Sequence, residues 1–344
     1  MRKWIAGLLI AVLAVAAWFG RELWMPPMAR LSLDQLRAMP LRRVGVFLLK
    51  HTDPAMKNIS RYLTEEFLES PDELFLYFQK EEQQAELPAP EVLPEAVQAA
   101  NLSALSGTYN QVNGTAVANS TDFDVRALLD DTVEMPDFEA GKPAVLIYHT
   151  HTTECYRNEE GVTNTTDVNK NVVAVGKAMK QVFEAAGYPT IHITEVFNQK
   201  KFNQSYTYSR AAVEKVLEQY PSIQVVLDVH RDSISSNGVD YFPVTEVEGK
   251  QAAQVMLVCG TDAKGLEHPD WRKNFIYALA LSRRMGSLYG ELSRPVNLRT
   301  DRFNTHFTPY TLLLEVGSSA NTLSQAIYGG ELTAMAMIDL WNNT

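Results

Sequence analysis

Apolar and polar positions follow a regular pattern only in the second part of the chain, from about residue 144 onward. There, short apolar runs are separated by segments in which apolar residues recur every three or four positions. The runs are typical of buried parallel strands, and the spacing is typical of helices that bury one face. The predicted strands are 144–148, 190–194, 223–229 and 311–316, and the predicted helices are 169–186, 209–219, 271–292 and 321–341.

Two further apolar segments, 239–247 and 254–259, flank Glu248-Gly249 and fit a β-hairpin. Elsewhere in this part of the chain, strands alternate with helices. This order predicts an α/β fold in which helices cover a mainly parallel, twisted sheet. In such sheets, functional sites form outside the carboxyl ends of the strands.

The N-terminal segment has a composition of its own. Arg2 and Lys3 precede an apolar run over 4–19, which reaches spanning length if it continues to residue 25 and Arg21 extends toward the lipid head groups. We interpret 1–25 as a transmembrane anchor, with a cleaved signal peptide as the alternative. Both interpretations export the rest of the chain. The anchor predicts a single-pass protein of the cell membrane whose C-terminal domain is extracytoplasmic.

Two regions separate this segment from the regular part. Residues 26–82 carry short helical and strand patterns and predict a small membrane-proximal region. Residues 83–140 are rich first in Pro, Ala and Glu and then in Asn, Ser, Thr and Gly. Such a composition cannot bury enough apolar surface to offset the entropy of ordering. We therefore predict a largely flexible linker over 83–140 and a regular domain over 141–344, which should fold alone from about residue 135.

Composition excludes several classes of protein. With 46% hydrophobic and 21% charged residues, the chain is not disordered, collagen-like or a coiled coil. Its net charge of -10 lacks the basic excess of nucleic-acid-binding proteins, so no nucleic-acid partner is predicted. Its two cysteines, Cys155 and Cys259, are too few for a disulfide framework and lack the paired spacing of a structural zinc site. Whether they pair with each other is open.

Three of the predicted strands end in residues that bind metals or transfer protons. These are His149, His151 and Glu154 after the first strand, Asp228 and His230 at the end of the third, and Glu315 at the end of the last. Because the carboxyl ends of parallel strands meet at one edge of a sheet, we expect these side chains to lie together. Two His and one carboxylate with an open position are a catalytic zinc pattern, and zinc lowers the pKa of a bound water to about 7. Taken singly, each His is more often a polar cap of a strand end.

Glu315 is the most specific of these residues. It closes the apolar run TLLLE, and apolar surroundings disfavour a charged carboxylate and raise its pKa. Such a carboxylate suits a general base. The alternative is a structural acid paired with an arginine, for which the candidates are Arg231, Arg299 and Arg302. His306 is consistent with a residue that lines the site and equally with a loop residue.

The motifs IYHTHTTECY, DVHRDS and LLEVGS, in this order after a predicted membrane anchor, resemble those of the stage II sporulation protein P family. The stretch SYTYSR before the second helix resembles the same family, and the resemblance covers about 144–341. It implies an amidase-like three-layer sandwich. It also implies a zinc-dependent peptidoglycan hydrolase that acts at septal membranes during engulfment in endospore formers.

The resemblance further implies the roles of individual residues. In the zinc amidases of similar fold, the metal ligands are a His after the first strand, a Glu at the start of the first helix and a His after a later strand. A catalytic Glu follows the last strand. Carried over, His151 and His230 are metal ligands and Glu315 is the catalytic carboxylate.

The third ligand departs from the pattern of those amidases. The first helix opens at Asp167-Val168-Asn169-Lys170, without a Glu. Glu154, three residues after His151, is the nearest acid and the expected ligand. Asp167 as third ligand, and His149 in place of His151, remain alternatives.

The implied activity is cleavage of the amide between N-acetylmuramic acid and L-alanine, together with a second activity against peptide cross-links. The expected cofactor is Zn²⁺. The expected partners are the peptidoglycan substrate, the cell membrane and stage II sporulation proteins D and M. The alternative function is a catalytically inactive module of the same fold that binds cell wall or recruits septal partners, and the missing Glu at the helix start favours it.

Overall fold

The structure, a computed structural model, describes residues 97–102, 110–112, 115–128, 134–157, 161–198 and 204–343. These residues belong to one unit, Leu87–Thr344. The predicted membrane anchor, 1–25, and the predicted membrane-proximal region, 26–82, lie outside the described residues. Within the described ranges, no helix is long and apolar enough to cross a membrane.

An eight-stranded sheet forms the centre of the unit. Its strands are β2 (Asn110–Val112), β3 (Thr115–Asn119), β4 (Val145–Tyr148), β5 (Thr190–His192), β6 (Val225–Asp232), β10 (Val255–Cys259), β11 (Val296–Leu298) and β12 (Tyr310–Ser318). They lie in the order β2-β3-β11-β10-β12-β6-β4-β5. Strands β12, β6, β4 and β5 are mutually parallel, as predicted. Strand β10 runs antiparallel to β12, and β11 and β3 run parallel to β10. Five of the seven strand pairs in this sheet are parallel, so the sheet is mainly parallel, as predicted, although it is mixed and not purely parallel.

A second, four-stranded sheet is built around β8. Its strands are β1 (Val97–Ala100), β7 (Ser235–Ser236), β8 (Val239–Val247) and β9 (Lys250–Ala253). Strands β8 and β9 form the hairpin predicted around Glu248-Gly249, and both turn residues have positive φ, 52° and 75°. Turns of this kind match the twist of the paired strands. The prediction of 254–259 as the second strand of the hairpin is wrong. The partner of β8 is β9, and residues 255–259 belong to the central sheet as β10.

In the described part of the chain, four helices cover the central sheet, and each contains most of a predicted helix. They are α1 (Val172–Ala185), α2 (Ser205–Gln219), α3 (Trp271–Tyr289) and α4 (Leu323–Asn342). Helix α1 begins where the Asn171 side chain accepts a hydrogen bond from the Val173 amide, and α4 begins with a capping box formed by Thr322 and Gln325. Local hydrogen bonding thus sets both helix starts.

Helices lie on both faces of the sheet. On one face, α2 packs through Val213 onto Leu146, Tyr148 and Val226. The alternate residues of β4 are equally buried and face α1, because side chains alternate along a strand. Helix α4 packs against both α1 and α3. The layers are therefore helix, sheet and helix.

Part of the predicted linker belongs to the fold. Strand β1 pairs with β8, and β3 pairs with β11 in the central sheet. The Phe123 ring stacks on Trp271 at 4.6 Å between centroids. The prediction of a largely flexible linker over 83–140 is therefore wrong for the strands within 97–119. Seven of their twelve residues are apolar, but the strands are short, and they are ordered by pairing with distant strands that local composition does not reveal.

Candidate functional site

The candidate site lies where β4, β6 and β12 end side by side. In the register of the sheet, Tyr148 pairs with Asp228, and Glu315 pairs with His230. The turn after β4 carries His151 and Glu154 to the same edge. The ring of His151 lies 5.4 Å from that of His230, and Glu154 Oε2 lies 3.4 Å from His230 Nδ1.

His230 is buried between two carboxylates. Its Nδ1 faces Glu154, and its Nε2 lies 2.8 Å from Asp228 Oδ1, within ion-pair distance but without hydrogen-bond geometry. Burial alone lowers the pKa of a histidine, but the charges and hydrogen-bonding capacity of Asp228 and Glu154 outweigh it. They hold the pKa of His230 well above its usual value. The surroundings of this ring therefore favour positive charge.

Glu154 is fixed by backbone groups on two sides. Its Oε2 accepts a hydrogen bond from the Arg231 amide at 3.3 Å, and its carbonyl oxygen accepts one from Val172, the first residue of α1, at 2.9 Å. Burial raises the pKa of this carboxyl, yet hydrogen bonding to His230 and the positive charges of His230 and Arg231 make it lower than usual overall. A carboxylate thus lies beside the start of the first helix, although it comes from the preceding loop.

His151 is half-buried and stands at the mouth of the site. Its ring is nearly perpendicular to that of His230, at 82°, and to that of Tyr206, at 89° and 5.6 Å. Burial, and then the charge of His230, lower the pKa of His151, so its imidazole is neutral at neutral pH. Neutral imidazole is the form that binds metals.

Glu315 ends in a buried carboxylate oxygen. Oε2 has no hydrogen-bond partner in the described part of the chain, and no lysine or arginine described here lies within ion-pair distance of it. Burial raises the pKa of Glu315 to about 8, with the positive charge of His230 acting against this rise. A carboxyl group with these properties can accept and release a proton near neutral pH.

Two of the three arginines proposed as partners of Glu315, Arg231 and Arg302, have other contacts. Arg231 donates to the carbonyl oxygens of Cys155 and Thr163, at 3.2 and 2.7 Å. Arg302 donates to the carbonyl of Glu267. A fourth arginine near the site, Arg294, forms an ion pair with Asp232 at 2.9 Å.

The structure also shows what His149 does. Its Nδ1 lies 2.8 Å from the carbonyl oxygen of Val229, and its Nε2 lies 2.8 Å from His192 Nε2. Burial lowers the pKa of His149 to about 4. Both ring nitrogens are therefore engaged away from His151. A β-carbon at Gly176 would lie only 2.8 Å from each ring, so this glycine lets α1 approach the pair.

Asp167, the alternative third ligand, belongs to a surface turn. Its Oδ1 accepts hydrogen bonds from the backbone amide and the side chain of Asn169, at 3.0 and 3.3 Å. Its side chain is 41% exposed. His306 stacks on Phe307 at 4.8 Å and lies near His268, so it belongs to a separate loop cluster.

A polar network that the sequence did not reveal supports the site. Thr150 donates its amide and its hydroxyl to the two oxygens of Asp228, at 2.8 and 2.7 Å. Its hydroxyl also lies 2.9 Å from Ser209 Oγ on α2, which accepts from Asn304 at 3.1 Å. Thr150 lies in the motif IYHTHTTECY and Ser209 in SYTYSR. Their place in these motifs was the only indication from sequence that they belong to the site.

The donor set of the site fits zinc in its chemistry. Two imidazoles and a carboxylate are ordinary zinc ligands, and Asp228 is placed to hold the second nitrogen of His230. As the side chains stand, the described residues contain no group of three or more His, Cys, Asp or Glu arranged to hold a metal ion. The direct contact between His230 and Glu154 would have to give way to a metal. A divalent cation would then replace the proton that His230 carries.

The chain matches the family "Stage II sporulation protein P (SpoIIP)" over residues 55–338. It belongs to this family, which confirms the resemblance seen in the motifs. It is 30% identical over 199 residues to stage II sporulation protein P of Bacillus subtilis (strain 168), which covers 54% of this chain and 47% of that protein. The chain thus spans about half the length of the curated relative it matches.

Solved amidase structures are more distantly similar. N-acetylmuramoyl-L-alanine amidase AmiC2 of Nostoc punctiforme has a TM-score of 0.37 and 12% identity, over 59% of this chain and 97% of that chain. The CwlD amidase from Clostridioides difficile, solved in complex with the GerS lipoprotein, has a TM-score of 0.39 and 12% identity, over 58% of this chain and 97% of that chain. At these values the similarities carry no information on the chemistry of the site.

Proposed function

We propose that this protein is a zinc-dependent peptidoglycan hydrolase that cleaves the amide between N-acetylmuramic acid and L-alanine. The observation that carries the proposal is the buried Oε2 of Glu315, which has no hydrogen-bond partner among the described residues and lies in the cluster formed by His151, Glu154 and His230. Membership of the SpoIIP family supports a role in sporulation and in cell-wall hydrolysis.

Each residue of the site has a role in this proposal. His151, Glu154 and His230 would hold the zinc ion, and Asp228 would keep the ring of His230 in place through Nε2. Bound zinc supplies Lewis-acid chemistry, which polarises the scissile carbonyl and acidifies water.

Proton transfer is the role of Glu315. Its carboxylate would accept the proton of the attacking water and pass it to the amine of L-alanine as the C–N bond breaks. A raised pKa suits both halves of this task, because the group must take up a proton and then release it near neutral pH.

The wider setting is also a proposal. The apolar segment 1–25 and the family support an anchor in the cell membrane, with the hydrolase domain outside the cytoplasm at the sporulation septum during engulfment. The family further supports action with stage II sporulation proteins D and M and a second activity against peptide cross-links. Membrane fractionation and co-purification from sporulating cells test the anchor and the partners, and product analysis by mass spectrometry tests which bonds are cut.

The decisive experiment is Glu315→Gln, which keeps size and shape but removes the proton-accepting function. We expect hydrolysis of purified peptidoglycan to fall by about two to four orders of magnitude, the usual range for a positioned general base. Zinc content and melting temperature should change little. The matched control is Glu246→Gln, which alters an exposed carboxylate on β8 and should leave all three quantities unchanged.

The three measurements on one preparation distinguish the roles of Glu315. A structural acid gives lower stability with activity kept in the folded fraction. A metal ligand gives loss of zinc together with activity. Near-normal hydrolysis by Glu315→Gln would end the general-base proposal.

A second candidate is a module of the same fold that binds cell wall or recruits septal partners without cutting. It is favoured by the direct contact of His230 with Glu154 and by a first helix that starts without a Glu. Purified protein without zinc and without hydrolysis, but still sedimenting with peptidoglycan, would support this candidate over the enzyme.

A further inference from the structure

One aromatic side chain contacts the candidate ligand His151, and a second lies beside the first. The Tyr206 ring meets the His151 ring edge to face at 5.6 Å, and the Phe303 ring lies 5.8 Å from that of Tyr206, tilted by 46°. Both residues are only half-buried, so part of their ring surface faces solvent. We call Tyr206 and Phe303 the aromatic wall. Neither residue has a role in the proposed metal binding or proton transfer.

The wall is held in place from behind by buried polar groups. The side chain of Asn304 donates to the carbonyl oxygen of Tyr206 at 2.8 Å and to Ser209 Oγ at 3.1 Å. On the far side of the loop, a β-carbon at Gly260 would lie 2.2 Å from the carbonyl oxygen of Arg302, so only glycine permits this approach. The start of α2 and the loop after β11 are thus locked together.

Phe303 adopts a backbone conformation that its side chain does not favour. Its φ is 50°, in the left-handed region, where a bulky non-glycine residue is a genuine outlier. Such strain persists only where the surroundings enforce it, and it clusters at functional sites. The strain here keeps an aromatic ring next to Tyr206 at the rim of the candidate site.

The chemistry of the wall selects among the parts of peptidoglycan. Neither ring carries a cation that could pair with the free carboxylates of a stem peptide. The glycan strand next to the scissile amide is uncharged, and its sugar rings have apolar faces that fit a flat aromatic surface.

We infer that Tyr206 and Phe303 bind the glycan strand of the substrate, with the apolar face of a sugar ring lying on the wall. The inference deepens and rests on the proposed function, since it names the part of peptidoglycan that the site recognises. Rigid aromatic rings offer a large contact area at low entropic cost. The wall thereby positions the sugar side of the amide above His151.

The test is binding of an uncharged oligomer of N-acetylglucosamine, which has the same sugar-ring faces and no carboxylate, to the full chain in detergent, measured by calorimetry. Tyr206→Ala should weaken binding by about three- to tenfold, the range expected for an aromatic contact. Tyr206→Phe keeps the ring and should bind within about twofold of the wild type. Tyr206→Leu keeps apolar volume without a flat ring, and it should bind as weakly as is expected for Tyr206→Ala. It replaces Tyr206→Ala in the comparison if the alanine variant does not fold.

Phe303 is tested with a matched pair of variants of its own. Phe303→Gly removes the ring and the strain together, so it should bind the oligosaccharide more weakly while its melting temperature does not fall. Phe303→Tyr keeps the ring and should bind normally. In hydrolysis of whole peptidoglycan, Tyr206→Ala should raise KM by a similar factor and leave kcat within a few fold.

The outcomes separate this inference from the proposed function. The oligosaccharide has no scissile amide, so ring-dependent binding by a protein that hydrolyses nothing would support the wall and refute the enzyme. The inference is overturned if the wild type does not bind the oligosaccharide, or if Tyr206→Ala binds it as the wild type does. It is also overturned if Tyr206→Phe fails like Tyr206→Ala, or if only free stem peptide binds in a Tyr206-dependent way.

Discussion

At the scale of single residues, His230 has the surroundings of a metal ligand more clearly than any other candidate. Its two ring nitrogens face Glu154 and Asp228, so one carboxylate can share a metal with it while the other holds the ring. The neighbouring His151 is neutral and half-buried. The same few side chains can therefore carry either a proton or a divalent cation at nearly the same place.

Metal analysis of variants tests this assignment. We expect one zinc per purified chain, and His230→Ala should lose most of it, because the ring that links both carboxylates is removed. The matched control is His268→Gln, which alters a buried histidine in the separate loop cluster and should keep its zinc. Elemental analysis by mass spectrometry gives the stoichiometry. Full occupancy in His230→Ala would show that the ligand assignment is wrong.

The third ligand is tested in the same way. Glu154→Ala should lose zinc, because Glu154 Oε2 lies 3.4 Å from His230 Nδ1. Asp167→Ala should keep zinc, because Asp167 is committed to a surface turn with Asn169. If Glu154→Ala keeps zinc and Asp167→Ala loses it, the third ligand is Asp167, and the zinc site itself is not refuted.

His268 predicts a pH effect on stability. Burial, then the charges of His306 and Arg302, lower its pKa to about 4, so the folded protein holds it neutral. The unfolded chain takes up a proton below the usual pKa of about 6.5, so this contribution is complete above pH 6.5 and is lost as pH falls toward 4. His268→Gln should remove an acid sensitivity of up to about 3 kcal/mol.

Melting temperatures of the wild type and His268→Gln between pH 7.5 and 4.5 give the comparison. The variant is expected to be the less stable protein at neutral pH, because His268 Nε2 lies 3.0 Å from Thr305 Oγ1. Its disadvantage should shrink as the pH falls. Parallel curves would contradict the buried neutral state of His268.

The residue types of the site were predictable from sequence, but the directions of their side chains were not. His149 and His151 are two positions apart and would face the same side of a regular strand. Strand β4 ends at Tyr148, and the chain turns immediately afterward. The rule for strands therefore does not apply to these residues, and His149 points to His192 instead of the site.

At the scale of elements, the start of α2 connects the site to the rest of the sheet. The predicted helix began at residue 209, whereas α2 begins at Ser205, so its first turn brings Tyr206 and Ser209 to the end of β4. Ser209→Ala removes the contacts of its hydroxyl with Thr150 and Asn304. We expect a loss of about 1 kcal/mol in the free energy of unfolding, typical of one buried hydrogen bond.

Urea unfolding measures this loss. The control is Ser236→Ala on β7, an exposed serine whose replacement should change stability by less than about 0.5 kcal/mol. Equal stabilities of the two variants would show that the hydroxyl of Ser209 does not support the site.

Strand direction was the main property of the elements that could not be predicted from the pattern of apolar residues. An apolar run such as VMLVC indicates a buried strand but is equally compatible with either direction. Gln254 is a buried residue that precedes β10 at the crossing between the two sheets. Its side chain bonds to Asn101, to the carbonyl of Glu291 and to the amide of Leu102. These partners are distant in sequence.

At the scale of the whole molecule, the N-terminal strands change where the folded unit begins. A fragment from residue 135 lacks β1, β2 and β3 and the stacking of Phe123 on Trp271, and it leaves Gln254 without two of its partners. We expect it to melt at a lower temperature than a fragment from Leu87. Circular dichroism of both fragments makes the comparison. Equal melting temperatures would restore the boundary predicted near residue 135.

The pairing of β3 with β11 has a consequence for the order of folding. Val117 and Val296 are partners in the sheet, although most of the described chain lies between them. On the ribosome or during export, β3 therefore appears long before the strand that holds it, and loop closure over such a distance is slow. The end of the sheet built by β2 and β3 is thus among the last parts to form. A chain released before β11 is complete leaves the β11-facing side of β3 unpaired and open to association with other chains.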